Sequence, residues 1–113
     1  MTNGFLEEHD KSKMTVYISH EYGGKWRNKR KIEKLINQLV RMNPDKIFVS
    51  PVHCFGFLYK KVSYERGIEM CLELLDRCDQ MWVMSGPSKG VKMDIKHCIE
   101  NDIKYYIFGE YKE

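Results

Sequence analysis

In the stretch Ser85-Gly86-Pro87-Ser88-Lys89-Gly90-Val91-Lys92-Met93-Asp94, hydroxyl side chains and glycines run ahead of a single carboxylate. The apolar run Met81-Trp82-Val83-Met84 lies before it and a helical pattern follows, so the small residues fall where a strand hands over to a helix. Backbone N–H groups at a helix N-terminus favour anions, and glycine lets a ligand approach the main chain closely. Ser85, Gly86, Ser88 and Gly90 are therefore candidates to hold a phosphate or a sugar. Asp94 would stand beside that ligand: at about 100° per residue it falls next to Val91 and Cys98, at the edge of the buried stripe rather than on the solvent face. A half-buried carboxylate there can serve as a nucleophile or as an acid/base group. The alternative is an ordinary strand-to-helix loop in which Ser88 only caps the helix and Asp94 is solvated near its start.

Two other loops carry candidate side chains. Ser19, His20, Glu21, Tyr22, Gly23 and Gly24 end and follow the first apolar segment, and His53 follows the second within an aromatic stretch. Brought together with the serine and glycine loop, they could border a base, a sugar and a phosphate. Residues 25–34 contain Lys25, Arg27, Lys29, Arg30, Lys31 and Lys34 against Glu33 alone. Cations at a helix N-terminus oppose the macrodipole, an arrangement that makes more sense with an anion nearby. Lys25 and Arg27 are closest to the loop and are the phosphate candidates; the others read as a solvated basic face. His20 and His53 have no third ligand spaced to join them, so no metal is expected. Cys54, Cys71, Cys78 and Cys98 lack CxxC spacing, and the last three fall on apolar helical faces as reduced core thiols do. His53-Cys54 followed at a distance by Lys60 approximates the HCx5R loop of cysteine phosphatases. Lysine replaces the bidentate arginine, however, and Phe55-Gly56-Phe57-Leu58-Tyr59 is too bulky for a phosphate cradle.

These side chains need elements to position them. Residues 14–20 are β-branched and aromatic and read as a first strand, with Tyr17 inside it. Ile32, Leu35, Ile36, Leu39 and Val40 recur at helical spacing from Asn28 until Asn43-Pro44. Residues 46–50 form a second strand, and residues 52–62 an unusually apolar loop that should cover something. Ser63 caps a helix whose stripe is Ile68, Cys71, Leu72, Leu75 and Cys78. Residues 80–84 give a third strand; Val91, Ile95, Cys98 and Ile99 give a third stripe; residues 104–108 give a last strand. The β-α-β-α-β-α-β order predicts a single-domain, Rossmann or flavodoxin-like α/β fold, with a parallel sheet of about four to five strands and helices on both faces. Such sheets bind ligands beyond the carboxyl ends of their strands, so the loops after Ser19, Ser50 and Met84 should share one rim.

The chain has 113 residues, 42% hydrophobic and 31% charged, enough for one core, and no linker or repeat divides it. A polar tail over residues 1–13 and one domain over residues 14–113 are expected. No apolar run approaches the roughly 20 residues of a membrane span, and the start carries no signal-peptide pattern, so a cytoplasmic protein without membrane partners is expected. A net charge of +3 is too small to argue for nucleic acid.

Val16-Tyr17-Ile18-Ser19 with Gly23-Gly24, Cys78-Asp79 before the third strand, and Ser88-Lys89-Gly90-Val91-Lys92-Met93-Asp94 together resemble the nucleoside 2-deoxyribosyltransferase superfamily. The resemblance includes its nucleotide N-glycosidase branch and the small relatives found in bacteria and phages, and it covers residues 14–108. It implies an N-glycosidic hydrolase or 2-deoxyribosyltransferase acting on a nucleoside or nucleoside monophosphate, without a cofactor. The family motif is SxGxxxE, in which the glutamate attacks the anomeric carbon and forms a glycosyl-enzyme ester that water or a second base resolves. By that resemblance Asp94 is the nucleophile, and Tyr17 is the second catalytic candidate, because Tyr17 or Tyr22 matches the first-strand tyrosine region the family uses near its nucleophile and base. Ser85, Ser88 and Gly90 hold the phosphate or sugar, and Tyr17, His20 and Tyr22 border the base. It also implies a homodimer or larger assembly. Two positions depart from the pattern: Asp94 is one methylene shorter than the family glutamate, and Cys71 stands where the family often has an aspartate. Two rival readings follow, a nucleotide-binding protein without catalysis and an interaction module that docks a partner through its aromatic loop.

Overall fold

The computed structural model describes residues 12–108. The tail expected over residues 1–13 lies almost wholly outside them. The elements run β1 (Met14–Ser19), α1 (Trp26–Met42), β2 (Lys46–Val49), α2 (Pro51–Phe55) with a 3-10 turn at Gly56–Leu58, α3 (Tyr64–Asp76), β3 (Gln80–Val83), α4 (Lys89–Glu100) and β4 (Lys104–Ile107). The four strands form one parallel sheet in the order β2-β1-β3-β4.

Alternation along β1 sends its side chains to two cores. Val16 and Ile18, with Trp82, pack against Leu35, Ile36 and Leu39 of α1. Tyr17, with Met81 and Val83, packs on the opposite face against Leu75 of α3 and Val91 and Cys98 of α4. Every residue of β3 is buried, as a central parallel strand covered on both faces requires. At the amino ends of these strands Asp79 fixes the register: its carboxylate accepts from the Thr15 N–H at 2.7 Å, and its own N–H donates to the Thr15 carbonyl at 2.8 Å. The sheet grows outward from β1 in both directions, so the carboxyl ends of β1 and β3 flank the point where the winding reverses.

The structure corrects three details of the sequence reading. Residues 52–62 are not a plain loop, because Ser50 caps α2 by accepting from the His53 N–H while Pro51 supplies a preset φ at the first helical position. Val40 and Ile99 are 52% and 64% exposed. Each lies about 100° around its helix from a residue that does face the sheet, Leu39 or Cys98, and that rotation carries it off the core.

Candidate functional site

A cavity of about 560 Å³ opens among the loops that follow β1, β2 and β3. Asp94 reaches it from the second turn of α4, a helix that starts where Ser88 accepts a hydrogen bond from the Val91 N–H at 3.2 Å. The Asp94 side chain is turned inward, leaving the residue 7% exposed. One carboxylate oxygen accepts a 2.7 Å hydrogen bond from the Ser19 hydroxyl at the end of β1. Burial pushes the Asp94 carboxyl up to about 6, against the opposing pull of the Ser19 hydrogen bond, the His97 charge and the Tyr17 hydroxyl. Near neutral pH the carboxylate is therefore mostly ionised, with a proton within easy reach.

Tyr17 projects from β1 beside Asp94 and Cys71, and burial raises its phenol well above the ordinary range. It stays a neutral O–H donor. Cys71 lines the cavity with its thiol pushed up to about 11 by burial, so it is an inert wall rather than a nucleophile.

The loop after β1 bends sharply at Gly23 and Gly24, both at positive φ (59° and 72°), and closes when the Lys25 N–H donates to the Tyr22 carbonyl at 3.0 Å. The buried Asn28 amide donates to the same carbonyl at 3.0 Å. This loop interlocks with the segment after α2: a Cβ at Gly24 would stand 2.4 Å from the Tyr59 ring, and one at Gly56 would stand 3.3 Å from the Tyr22 ring. The two tyrosines meet edge to face at 5.6 Å. Phe55, Leu58, Tyr59 and Val62 also line the cavity, whereas Phe57 points away at 70% exposure.

The structure thus brings Tyr17, His20, Tyr22, Gly23, Lys25, Ser88, Gly90 and Asp94 to one cavity. It does not bring Ser19, Gly24, His53, Ser85, Gly86 or Arg27 to that wall. Ser19 is fully buried and spends its hydroxyl on Asp94. Ser85 accepts from the Glu21 N–H at 2.9 Å and donates to the Gly86 carbonyl, joining the loops after β1 and β3. His53 turns toward α1, with Nε2 at 2.9 Å from Glu33 and Nδ1 at 2.7 Å from the Ser50 hydroxyl. Lys60, Tyr64 and Lys89 also line the cavity. The sequence reading met Lys60 only in the rejected phosphatase comparison and Lys89 only as a spacer of the serine-glycine motif, and Tyr64 carries no signal that sets it apart from other surface tyrosines. Among the described residues no group of three His, Cys, Asp or Glu side chains could hold a metal ion.

A single parallel sheet with a carboxylate-bearing cavity at its winding reversal defines the class, a doubly wound α/β domain. The chain belongs to the family described as Domain of unknown function (DUF7768), whose model matches residues 14–108. No curated protein matches it. Among solved structures it is similar to a 2-desoxiribosyltransferase from Leishmania mexicana, with a TM-score of 0.63 and 11% identity over 88% of this chain. The match spans 65% of that protein's length. At this identity the likeness is one of fold. No helix among the described residues is long and apolar enough to cross a membrane.

Proposed function

We propose that this protein breaks the N-glycosidic bond of a nucleoside or nucleoside monophosphate, by hydrolysis or by transfer to a second base, with Asp94 as the nucleophile. The observation that carries this reading is the Ser19-bound Asp94 carboxylate, nearly buried yet lining the cavity. In the proposed step one Asp94 oxygen attacks the anomeric carbon. The C–N bond breaks, the base leaves with its electron pair and takes up a proton from solvent, and a glycosyl ester remains on Asp94. Water or another base then attacks the same carbon and restores the carboxylate. Tyr17 and Ser19 hold the carboxylate in place, and Tyr22 and His20 border the base.

The test follows free base by chromatography from a panel of nucleosides and nucleoside monophosphates. Asp94→Ala should lower release by at least about 10³-fold, the scale of losing a nucleophile, while retaining ligand affinity. Acid-quenched wild type should carry the glycosyl mass on the peptide that contains Asp94. Base release unchanged in Asp94→Ala would show that the chemistry lies elsewhere; tight binding with no release by wild type would favour the non-catalytic binder.

A further inference from the structure

Three lysines line the cavity: Lys25 just ahead of α1, Lys60 in the segment after α2, and Lys89 as the first residue of α4. Among the described residues none of them pairs with a carboxylate. Most surface lysines share that, since of the described lysines and arginines only Arg30, Lys46, Arg66 and Arg77 do pair, so what sets the cavity lysines apart is what holds them. Two are held by aromatic rings of the same wall. Lys89 Nζ lies 4.5 Å from the centre of the Tyr64 ring, and Lys60 Nζ lies 5.9 Å from that of Tyr59. A cation over a ring face keeps its charge and its N–H donors while its freedom is reduced.

Lys60 is also held at φ 62°, a left-handed conformation that strains any residue with a Cβ and that gathers at ligand clamps. The first turns of α1 and α4 contain no acidic residue, so cations sit at two helix ends that are already positive. The carboxylates in the wall are Glu21 and the nearly buried Asp94. This excess of unpaired cations at the mouth lacks an anion.

Resting on the glycosidic reading above, we infer that the cavity selects phosphate monoesters and takes a nucleoside monophosphate in preference to the free nucleoside. Lys60 and Lys89 bind the phosphate, and Lys25 adds a third positive charge. The neutral remainder of the ligand lies against the aromatic wall.

Titration calorimetry tests this with 2′-deoxynucleosides, their 5′-monophosphates, ribose 5-phosphate and inorganic phosphate as the probes. The monophosphates should bind at least about tenfold tighter than the nucleosides, the scale of one charge-assisted hydrogen bond, and the difference should shrink with added salt. Lys89→Met and Lys60→Gly should each cut the monophosphate-to-nucleoside affinity ratio about tenfold. Lys60→Gly relieves the left-handed strain, so its melting temperature should hold or rise while phosphate affinity falls, a combination that a merely structural lysine would not give. Competition by ribose 5-phosphate, and more weakly by inorganic phosphate, supports the inference; absence of both overturns it. Equal affinities for nucleoside and monophosphate, a ratio unmoved by both substitutions, or no binding of any probe would also overturn it. Lysine-dependent monophosphate binding without base release sinks the glycosidic reading alone, and base release without any phosphate preference sinks this inference alone.

Discussion

The contact between Ser19 and Asp94 decides what the carboxylate can do. A carboxyl buried to this depth is pushed toward its neutral form, and the hydroxyl at 2.7 Å works against that push by donating to the charged one. Ser19→Ala should therefore raise the Asp94 pKa further from about 6 and move the acid limb of any base-release pH profile upward. Activity should fall several-fold near pH 6.5 and recover by pH 9, since alkali restores the anion without Ser19. An equal loss at both pH values would mean that Ser19 acts through geometry alone. Part of this pair was readable beforehand: helical spacing from Val91 to Cys98 turns Asp94 toward the core. Its partner was not, because Ser19 is brought to it only by β1 pairing with β3, a tertiary event that leaves no local pattern.

Between the elements, the interlock of Gly24 with Tyr59 and Gly56 with Tyr22 fixes the mouth of the cavity. Gly24→Ala meets two costs at once, a Cβ at φ 72° and a 2.4 Å approach to the Tyr59 ring. Together they should lower stability by about 1–3 kcal/mol in a denaturant titration. Adding Tyr59→Ala removes the collision but not the strained φ, so the double mutant should recover only part of the loss relative to Tyr59→Ala alone. Full recovery would assign the whole cost to the ring. The glycine pair was legible as the loop after the first strand and as a candidate ligand contact, but the Tyr59 ring against Gly24 was not, since residues 35 positions apart meet only through the fold. α2 escaped for another reason: five residues are too few for periodicity, and its Ser50-Pro51 start was hidden at the end of a strand. The longer helices α1, α3 and α4 and all four strands were legible because each carries either a repeated stripe or a β-branched run bounded by turns.

For the molecule as a whole, the carboxylate in the cavity should set how stability depends on pH. Asp94 loses its proton near 3.8 when the chain is unfolded and near 6 when it is folded, so the fold favours the neutral acid. Well below the unfolded value of 3.8 both states are protonated and the group is neutral in its effect. As pH rises toward 6 the unfolded chain releases its proton first, stability falls, and above the folded value the penalty levels off. Its full size is on the order of 3 kcal/mol, about 1.4 kcal/mol for each unit of difference, and near-complete burial leaves little solvent screening to reduce it. Asp94→Asn resembles the protonated acid in shape and can still accept from Ser19, so it should remove this penalty. Urea unfolding of the variant and the wild type should converge as pH falls below 3.8 and diverge at pH 7.5, where the variant is more stable by up to roughly 3 kcal/mol. A variant less stable than wild type at pH 7.5 would show instead that the ionised carboxylate supports the fold, and the cavity would then have no stability cost that only a function could justify.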